Sequence, residues 1–289
     1  MVCIIIMTYI SIEIIGGLGN HLFQIAFLHY FKMNSKSKRD LIFKYEKECY
    51  NAFSLTRKTF WDSLFQNQFN ILHNIDDIDF NIIYYEKNNH KFDNNLPLNI
   101  EKNILFRGYF QSFEYINDKL REDLIHIIYS NEDLMYKAYE EYNKIKVFFG
   151  ENTEDDDIVS LHFRRTDYTK VPDFHKNLSM DYYRNALNII KRKYLVIFSD
   201  DIDWCKLNID SKLYNYDNIY FVEFGNVEIE FLVMSMIKHN IIANSTFSLW
   251  ASFISSYNDK IIVAPKQWYG QKGSQEWNEI YHKYITNII

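Results

Sequence analysis

Two arginines in succession end an apolar run. Ile158 to Phe163, with His162 inside it, leads directly into Arg164-Arg165-Thr166-Asp167-Tyr168. A guanidinium is planar, permanently charged and presents five donors in a fixed fork, so a pair of them at one strand end suits a diphosphate. Each charge-assisted hydrogen bond contributes about 1.5–3 kcal/mol, so losing one such arginine lowers affinity tenfold to a hundredfold. Asp167 stands where it can hold an arginine in its rotamer. A surface salt-bridge cluster would use the same residue types. Position separates the two readings, because open α/β sheets bind ligands beyond the carboxyl ends of their strands.

Three further polar blocks follow the same logic. Gly16-Gly17-Leu18-Gly19-Asn20 places three of the chain's eight glycines within four positions. That concentration calls for positive φ or a close backbone approach. The N–H groups of Gly17, Gly19 and Asn20, at the start of a helix, would favour an anion. The spacing matches neither a dinucleotide fingerprint nor a Walker loop, and a purely structural tight turn is the rival. Phe198-Ser199-Asp200-Asp201 ends another apolar run. A carboxylate there, Asp200 or Asp201, can accept from the amino and ring N–H of guanine; a plain helix N-cap is the alternative. Asp201-Ile202-Asp203 also spells the Asp-x-Asp of metal-dependent sugar transferases. A Mg²⁺ on a diphosphate would duplicate the charge that the arginines already bring, so no metal is expected. In Asn244-Ser245-Thr246-Phe247-Ser248, the residues Asn244, Ser245, Thr246 and Ser248 lie where a helix begins, suited to phosphate contact, to N-capping or to both. The nine histidines show no paired metal spacing and no Gly-x-Ser-x-Gly elbow is present. His239 reads as structural, and Trp250, Trp268 and Trp277 as core packing rather than ligand stacking.

These blocks need elements to hold them. Ile10 to Ile15 reads as a strand before the glycines, with a helix through Leu22, Ile25, Ala26 and Tyr30. Residues 35–103 are irregular and Asn-rich, read as loops and short helices, and Asp118 to Lys146 as largely helical. The acidic stretch Glu151 to Asp157 reads as a solvated linker. Beyond it the pattern is regular: strands at Ile158 to Phe163, Leu195 to Phe198, Ile219 to Val222, Ile241 to Ala243 and Ile261 to Val263. Helices alternate with them, one N-capped by Ser179 and others through Ile229 to Met236 and Phe247 to Ser255. That alternation predicts an α/β chain with a parallel, doubly wound sheet. The expected division is 1–150 and 151–289.

Composition bounds the rest. A formal charge of −6 over 289 residues argues against non-specific coating of nucleic acid or anionic membrane, though not against a local cationic pocket. Cys3, Cys49 and Cys205 form neither a disulfide framework nor a zinc pattern, which points to a reducing, cytoplasmic setting. Met1 to Ile15 is apolar but short of the roughly 18 residues that span a bilayer. Peripheral membrane association stays compatible with the sequence.

Taken in order, the blocks resemble the α-1,2-fucosyltransferases. Gly16 to Ala26 is similar to that family's opening block and Gly108-Tyr109-Phe110-Gln111-Ser112 to its middle block. His162 to Tyr168, with its His-x-Arg-Arg-x-Asp, resembles the central donor-binding motif. Phe198 to Asp201, Asn244 to Ser248 and Ala264 to Tyr269 complete the set. His21 and Leu22 stand where Gln and Met are usual, and Leu249 where an aromatic residue is common. The first eight or nine residues look like an extension. The resemblance implies a GT-B-like fold of two Rossmann-like domains, the C-terminal one binding the nucleotide. It further implies GDP-fucose as donor, a galactose-containing glycan as acceptor, inversion at the anomeric carbon and no required metal. Arg164 would hold the β-phosphate with Arg165 in support. His162 and an aspartate of the 199–201 block would meet guanosine.

Overall fold

A computed structural model of the protein describes residues 8–75, 77–209 and 218–289. Cys3 and the first seven residues of the expected extension lie outside them, while Thr8 and Tyr9 belong to the first strand. The chain divides into two compact units, residues 1–131 with 276–280 and residues 132–275 with 281–289. The boundary therefore falls about a helix earlier than the expected 150, and the segment 276–280 returns to the first unit.

The first unit is built on a parallel sheet of order β2-β1-β8-β7. Its strands are β1 (Thr8–Ile12), β2 (Arg39–Leu41), β7 (Ile82–Tyr85) and β8 (Ile104–Arg107). Helix α1 (Leu18–Asn34) packs on β1 and β2. Phe27 of α1 stacks on Phe110 at 3.7 Å and meets Phe106 edge-on at 4.9 Å, so aromatic rings fill this core. The region 35–103 carries short strands instead of the expected short helices. Two of them are β3 (Phe43–Lys44) and β6 (Ile71–Leu72), paired in parallel. Two more are β4 (Glu48–Tyr50) and β5 (Thr56–Lys58), paired antiparallel. Their brevity hides the period-2 signal that would have announced them. Helix α2 (Asp118–Ile128) closes the unit, N-capped by Asn117 on the Leu120 amide at 2.8 Å.

The second unit begins at α3 (Glu132–Phe149) and carries a six-stranded, all-parallel sheet of order β11-β10-β9-β12-β13-β14. The strands are β9 (Ile158–Phe163), β10 (Tyr194–Ser199), β11 (Asn218–Phe221), β12 (His239–Ile241), β13 (Ile262–Ala264) and β14 (Asn287–Ile288). Counted from β9, this is the order 3-2-1-4-5-6 of a dinucleotide-binding sheet, with the chain reversing direction between β9 and β12. Every residue of β9 is buried, as a central strand covered on both faces requires. The helices are α4 (Met180–Ile190), α5 (Ile202–Asn208), α6 (Val227–Met236) and α7 (Thr246–Ile254). Ser179 caps α4 through the Tyr182 amide, as expected, and Asn226 caps α6 through Ile229 at 3.0 Å. Val159, Leu161, Phe163, Leu195 and Ile197 pack with Tyr183, Ala186 and Leu187 of α4 in the core. Two α/β units with parallel sheets are the parts that the GT-B-like expectation calls for.

The acidic run is not a solvated linker. Asp155 accepts from Tyr142 and Tyr257 at 2.7 Å each and from Lys146 at 3.0 Å. Asp156 pairs with Lys238 at 2.8 Å and with His239 at 3.1 Å, and Asp157 with Lys193 at 2.8 Å. The run tethers α3, β12 and the start of β10 to β9. His239 is structural, as read, and Trp250 and Trp268 are buried in the core. No helix among the described residues is long and apolar enough to cross a membrane.

Candidate functional site

The carboxyl ends of β9, β10 and β12 bring three of the sequence blocks together. Arg164 leaves the end of β9 and lies between two carboxylates, with Nη2 at 2.6 Å from Asp167 and Nη1 at 3.1 Å from Asp200. Its guanidinium also sits 5.3 Å from the centre of the Tyr168 ring. Burial by itself would lower its pKa, but Asp200, Tyr168 and Asp167 outweigh it and hold the charge firmly. Its side chain is still 24% exposed. Arg165 turns away. Its guanidinium lies 3.5 Å from the centre of the Trp204 ring, and Nε reaches Asp201 at 3.1 Å.

Asp200 organises this corner. It accepts from the Arg165 amide at 2.8 Å, the Thr166 amide at 3.2 Å and the Thr166 hydroxyl at 2.5 Å, besides pairing with Arg164. Burial pushes its carboxyl up, but Arg164 and those donors overcome this and hold it below the usual carboxylate range. Its two oxygens are thus engaged by the loop that carries the arginines. Asp201 takes the N-cap position of α5 without a side-chain cap bond, and its carboxylate accepts from Nε of Arg165.

His162 is buried on β9 with its ring 5.5 Å from that of Phe247. Burial drives its pKa down to about 4, so the imidazole is neutral at pH 7. Its Nδ1 has no hydrogen-bond partner among the described residues. An unsatisfied buried nitrogen at the sheet's switch point is what a ligand contact would resolve. Close by, α7 begins at Thr246. Its N-cap Ser245 makes no side-chain cap bond, and the positive end of a helix dipole favours an anion. Ser248 is fully buried and donates to the Ser245 carbonyl at 3.3 Å. Asn244 does not offer its amide to a ligand. It donates to the carbonyls of Lys176 at 2.9 Å and Trp268 at 2.7 Å. The Tyr168 hydroxyl donates to the Asn244 carbonyl at 3.0 Å, which ties the arginine loop to α7.

Charge sharpens the picture. Two guanidiniums face three carboxylates, Asp167, Asp200 and Asp201, so the corner is not a bare cationic clamp. A diphosphate would have to draw on the remaining N–H groups of Arg164 and on the amides at the start of α7.

The model of glycosyl transferase family 11 matches residues 7–288. The chain belongs to glycosyl transferase family 11. It is 28% identical to the O-antigen biosynthesis glycosyltransferase WbnK of Escherichia coli, over 88% of this chain and 93% of that one. It is 25% identical to an alpha-1,2-colitosyltransferase of Escherichia coli, over 96% and 99% of the two chains. A shorter stretch, 34% of this chain and 28% of the other, is 30% identical to the galactoside 2-alpha-L-fucosyltransferase SEC1 of Bos taurus. The resemblance read from the motif blocks and the family match agree: this is a glycosyltransferase.

The remaining expected residues of this family 11 glycosyltransferase lie in the first unit. Gly16, not Gly17, is the strained glycine: it has φ +86°, and a Cβ there would stand 2.2 Å from Nδ2 of Asn20. Gly17 is the N-cap of α1 in ordinary extended geometry, with open space where a Cβ would be. Gly19 and Asn20 are in the first turn of α1, which again lacks a side-chain cap. Asn20 accepts from Gln111 at 2.7 Å, and buried Gln24 donates to Gly108 at 2.9 Å, so the opening and middle blocks form one structure. Sequence reasoning missed Trp204 and Thr166 as partners of the arginine loop. Trp204 carried no signal, because its meeting with Arg165 depends on where α5 falls. Thr166 sits inside the motif, and nothing in the residue order marks its hydroxyl as a partner of Asp200. Among the described residues, no three His, Cys, Asp or Glu side chains gather as metal ligands.

Proposed function

We propose that this family 11 glycosyltransferase moves L-fucose from GDP-fucose to a hydroxyl of a galactose-containing glycan, forming an α-1,2 linkage with inversion. The observation that carries the reading is Arg164, fixed between Asp167 and Asp200 beside the uncapped start of α7 at the switch point of a 3-2-1-4-5-6 sheet. In the proposed reaction the acceptor oxygen attacks C1 of fucose from the face opposite GDP. The bond from C1 to the β-phosphate oxygen breaks as the new one forms, GDP leaves with the bonding electron pair, and the hydroxyl proton passes to solvent water. Negative charge grows on the β-phosphate, where the Arg164 guanidinium and the α7 amides stabilise it without reorganising. Neutral His162 supplies a nitrogen for the nucleoside. Asp167, at 2.6 Å from Arg164, serves as a positioning residue. The leaving group is neutralised by these groups, so a chelator should leave the rate unchanged.

A second reading keeps the site and changes the sugar. One of the relatives is named an alpha-1,2-colitosyltransferase, which supports weighing a sugar other than fucose. Incubation with a panel of sugar nucleotides, scored by GDP release and by linkage analysis of the product, separates the two. Transfer from GDP-fucose supports the proposal, and transfer from GDP-mannose but not GDP-fucose overturns it. Glycan binding without GDP release from any donor would make the chain a non-catalytic relative.

A further inference from the structure

The first unit holds a cavity of about 700 Å³. That is within the roughly 300–1,000 Å³ of small-molecule sites. It lies at the carboxyl ends of β1 and β8, where Ser11 to Ile15 and Arg107 line it, together with residues of β3 and β4 and of the segments after β5 and β6. This is the end of a parallel sheet at which ligands bind. The wall runs into the glycine-rich loop: Ile15 precedes Gly16, whose amide donates at 2.9 Å to the carbonyl of Tyr50, itself a lining residue.

The chemistry of the lining is uneven. Ser11 Oγ and Trp61 Nε1 belong to wall residues and are buried with no hydrogen-bond partner among the described residues. Four carboxylates, Glu13, Glu46, Asp77 and Asp79, face two cations, Lys44 and Arg107. Both cations are engaged within the wall, Arg107 with Glu13 at 2.7 Å and Lys44 with Glu46 at 3.0 Å. Asp77 and Asp79 are exposed and leave the wall with a negative surplus. Such a wall accepts hydrogen bonds from hydroxyls and repels anions. The Tyr50 ring, 63% exposed, adds an aromatic surface of the kind that packs on a pyranose.

We propose that this cavity is the acceptor pocket and that it selects uncharged glycans over those bearing sialic acid, uronic acid or sulfate. The inference rests on the transferase reading above and names the substrate class of its acceptor. Lactose and sialyllactose are the probes. Their binding is measured directly by saturation-transfer NMR without donor, and by acceptor KM in the presence of GDP-fucose. The wild-type protein should prefer lactose by about tenfold or more. Asp77→Lys with Asp79→Lys should narrow that ratio at least threefold through binding and KM. Equal use of both probes by the wild type, or an unchanged ratio in the double variant, overturns the proposal. Should the double variant not fold, Tyr50→Ala replaces it: lactose binding should weaken severalfold, and undiminished binding overturns the proposal. GDP-fucose binding to the wild type is measured in parallel. Its absence with selective glycan binding intact would sink the donor reading and leave the pocket standing.

Discussion

Glu86 in the first unit and Asp200 in the second occupy matching places. Each follows a parallel strand, β7 or β10, and accepts from two successive amides just past the end of the neighbouring strand. Glu86 takes Tyr109 at 2.7 Å and Phe110 at 2.9 Å beyond β8, and Asp200 takes Arg165 and Thr166 beyond β9. The backbone in the first unit is bent hard to meet its carboxylate. Phe110 has φ +50°, and Gly108, at φ +151°, would place a Cβ 2.4 Å from that of Glu86. The electrostatic outcomes are opposite. Burial raises Glu86 to about 7 despite its two amide bonds, while Arg164 helps hold Asp200 below the usual range. One device serves as loop scaffolding that titrates near neutrality. The other, given a guanidinium, is held in its charged form and serves as the mount of Arg164.

Removing the cation should make the second unit resemble the first. Arg164→Ala is expected to lower kcat/KM for transfer by about 10²–10³-fold. It should also move the Asp200 carboxyl upward in an NMR titration, toward the behaviour of Glu86, with the fold retained. A variant of near-normal rate, or an unmoved carboxyl, breaks the comparison.

The first unit is tested through pH. Glu86 has a folded-state pKa of about 7 against an ordinary 4.5, so its contribution is whole below 4.5 and is lost as pH rises through 7. The loss amounts to up to about 3 kcal/mol by pH 8. Glu86→Gln cannot ionise, so the advantage of the wild type over E86Q in urea unfolding should shrink steadily from pH 4.5 to 8. Parallel stability curves for the two proteins would show that Glu86 does not titrate as its surroundings dictate.

The smallest effect should come from the neighbouring arginine. Arg165 lies on Trp204 and pairs with Asp201, contacts that contribute on the order of 1 kcal/mol. Arg165→Ala should therefore change donor KM or kcat by less than about tenfold. A loss equal to that of Arg164→Ala would erase the division of labour between the two.

Much of this was legible from residue order. The continuous apolar run Ile158 to Phe163 reads as a central parallel strand because both of its faces are covered. Arg164 at its end, the glycines before α1, and helices alternating with strands after residue 158 gave the α/β class and the likeness to a glycosyltransferase family. These are local or periodic signals, and chain spacing preserves them. What Asp200 does was decided by tertiary structure alone. A carboxylate at a strand end looks the same in sequence whether it faces a purine or the amides of the next strand, 35 residues away. The same holds for Asn244, whose side chain is spent on the carbonyls of Lys176 and Trp268, and for Trp204 beneath Arg165. Hydrogen bonds and ring contacts between distant elements follow from sheet order, and sheet order is set by the packing of whole faces rather than by any short stretch of sequence.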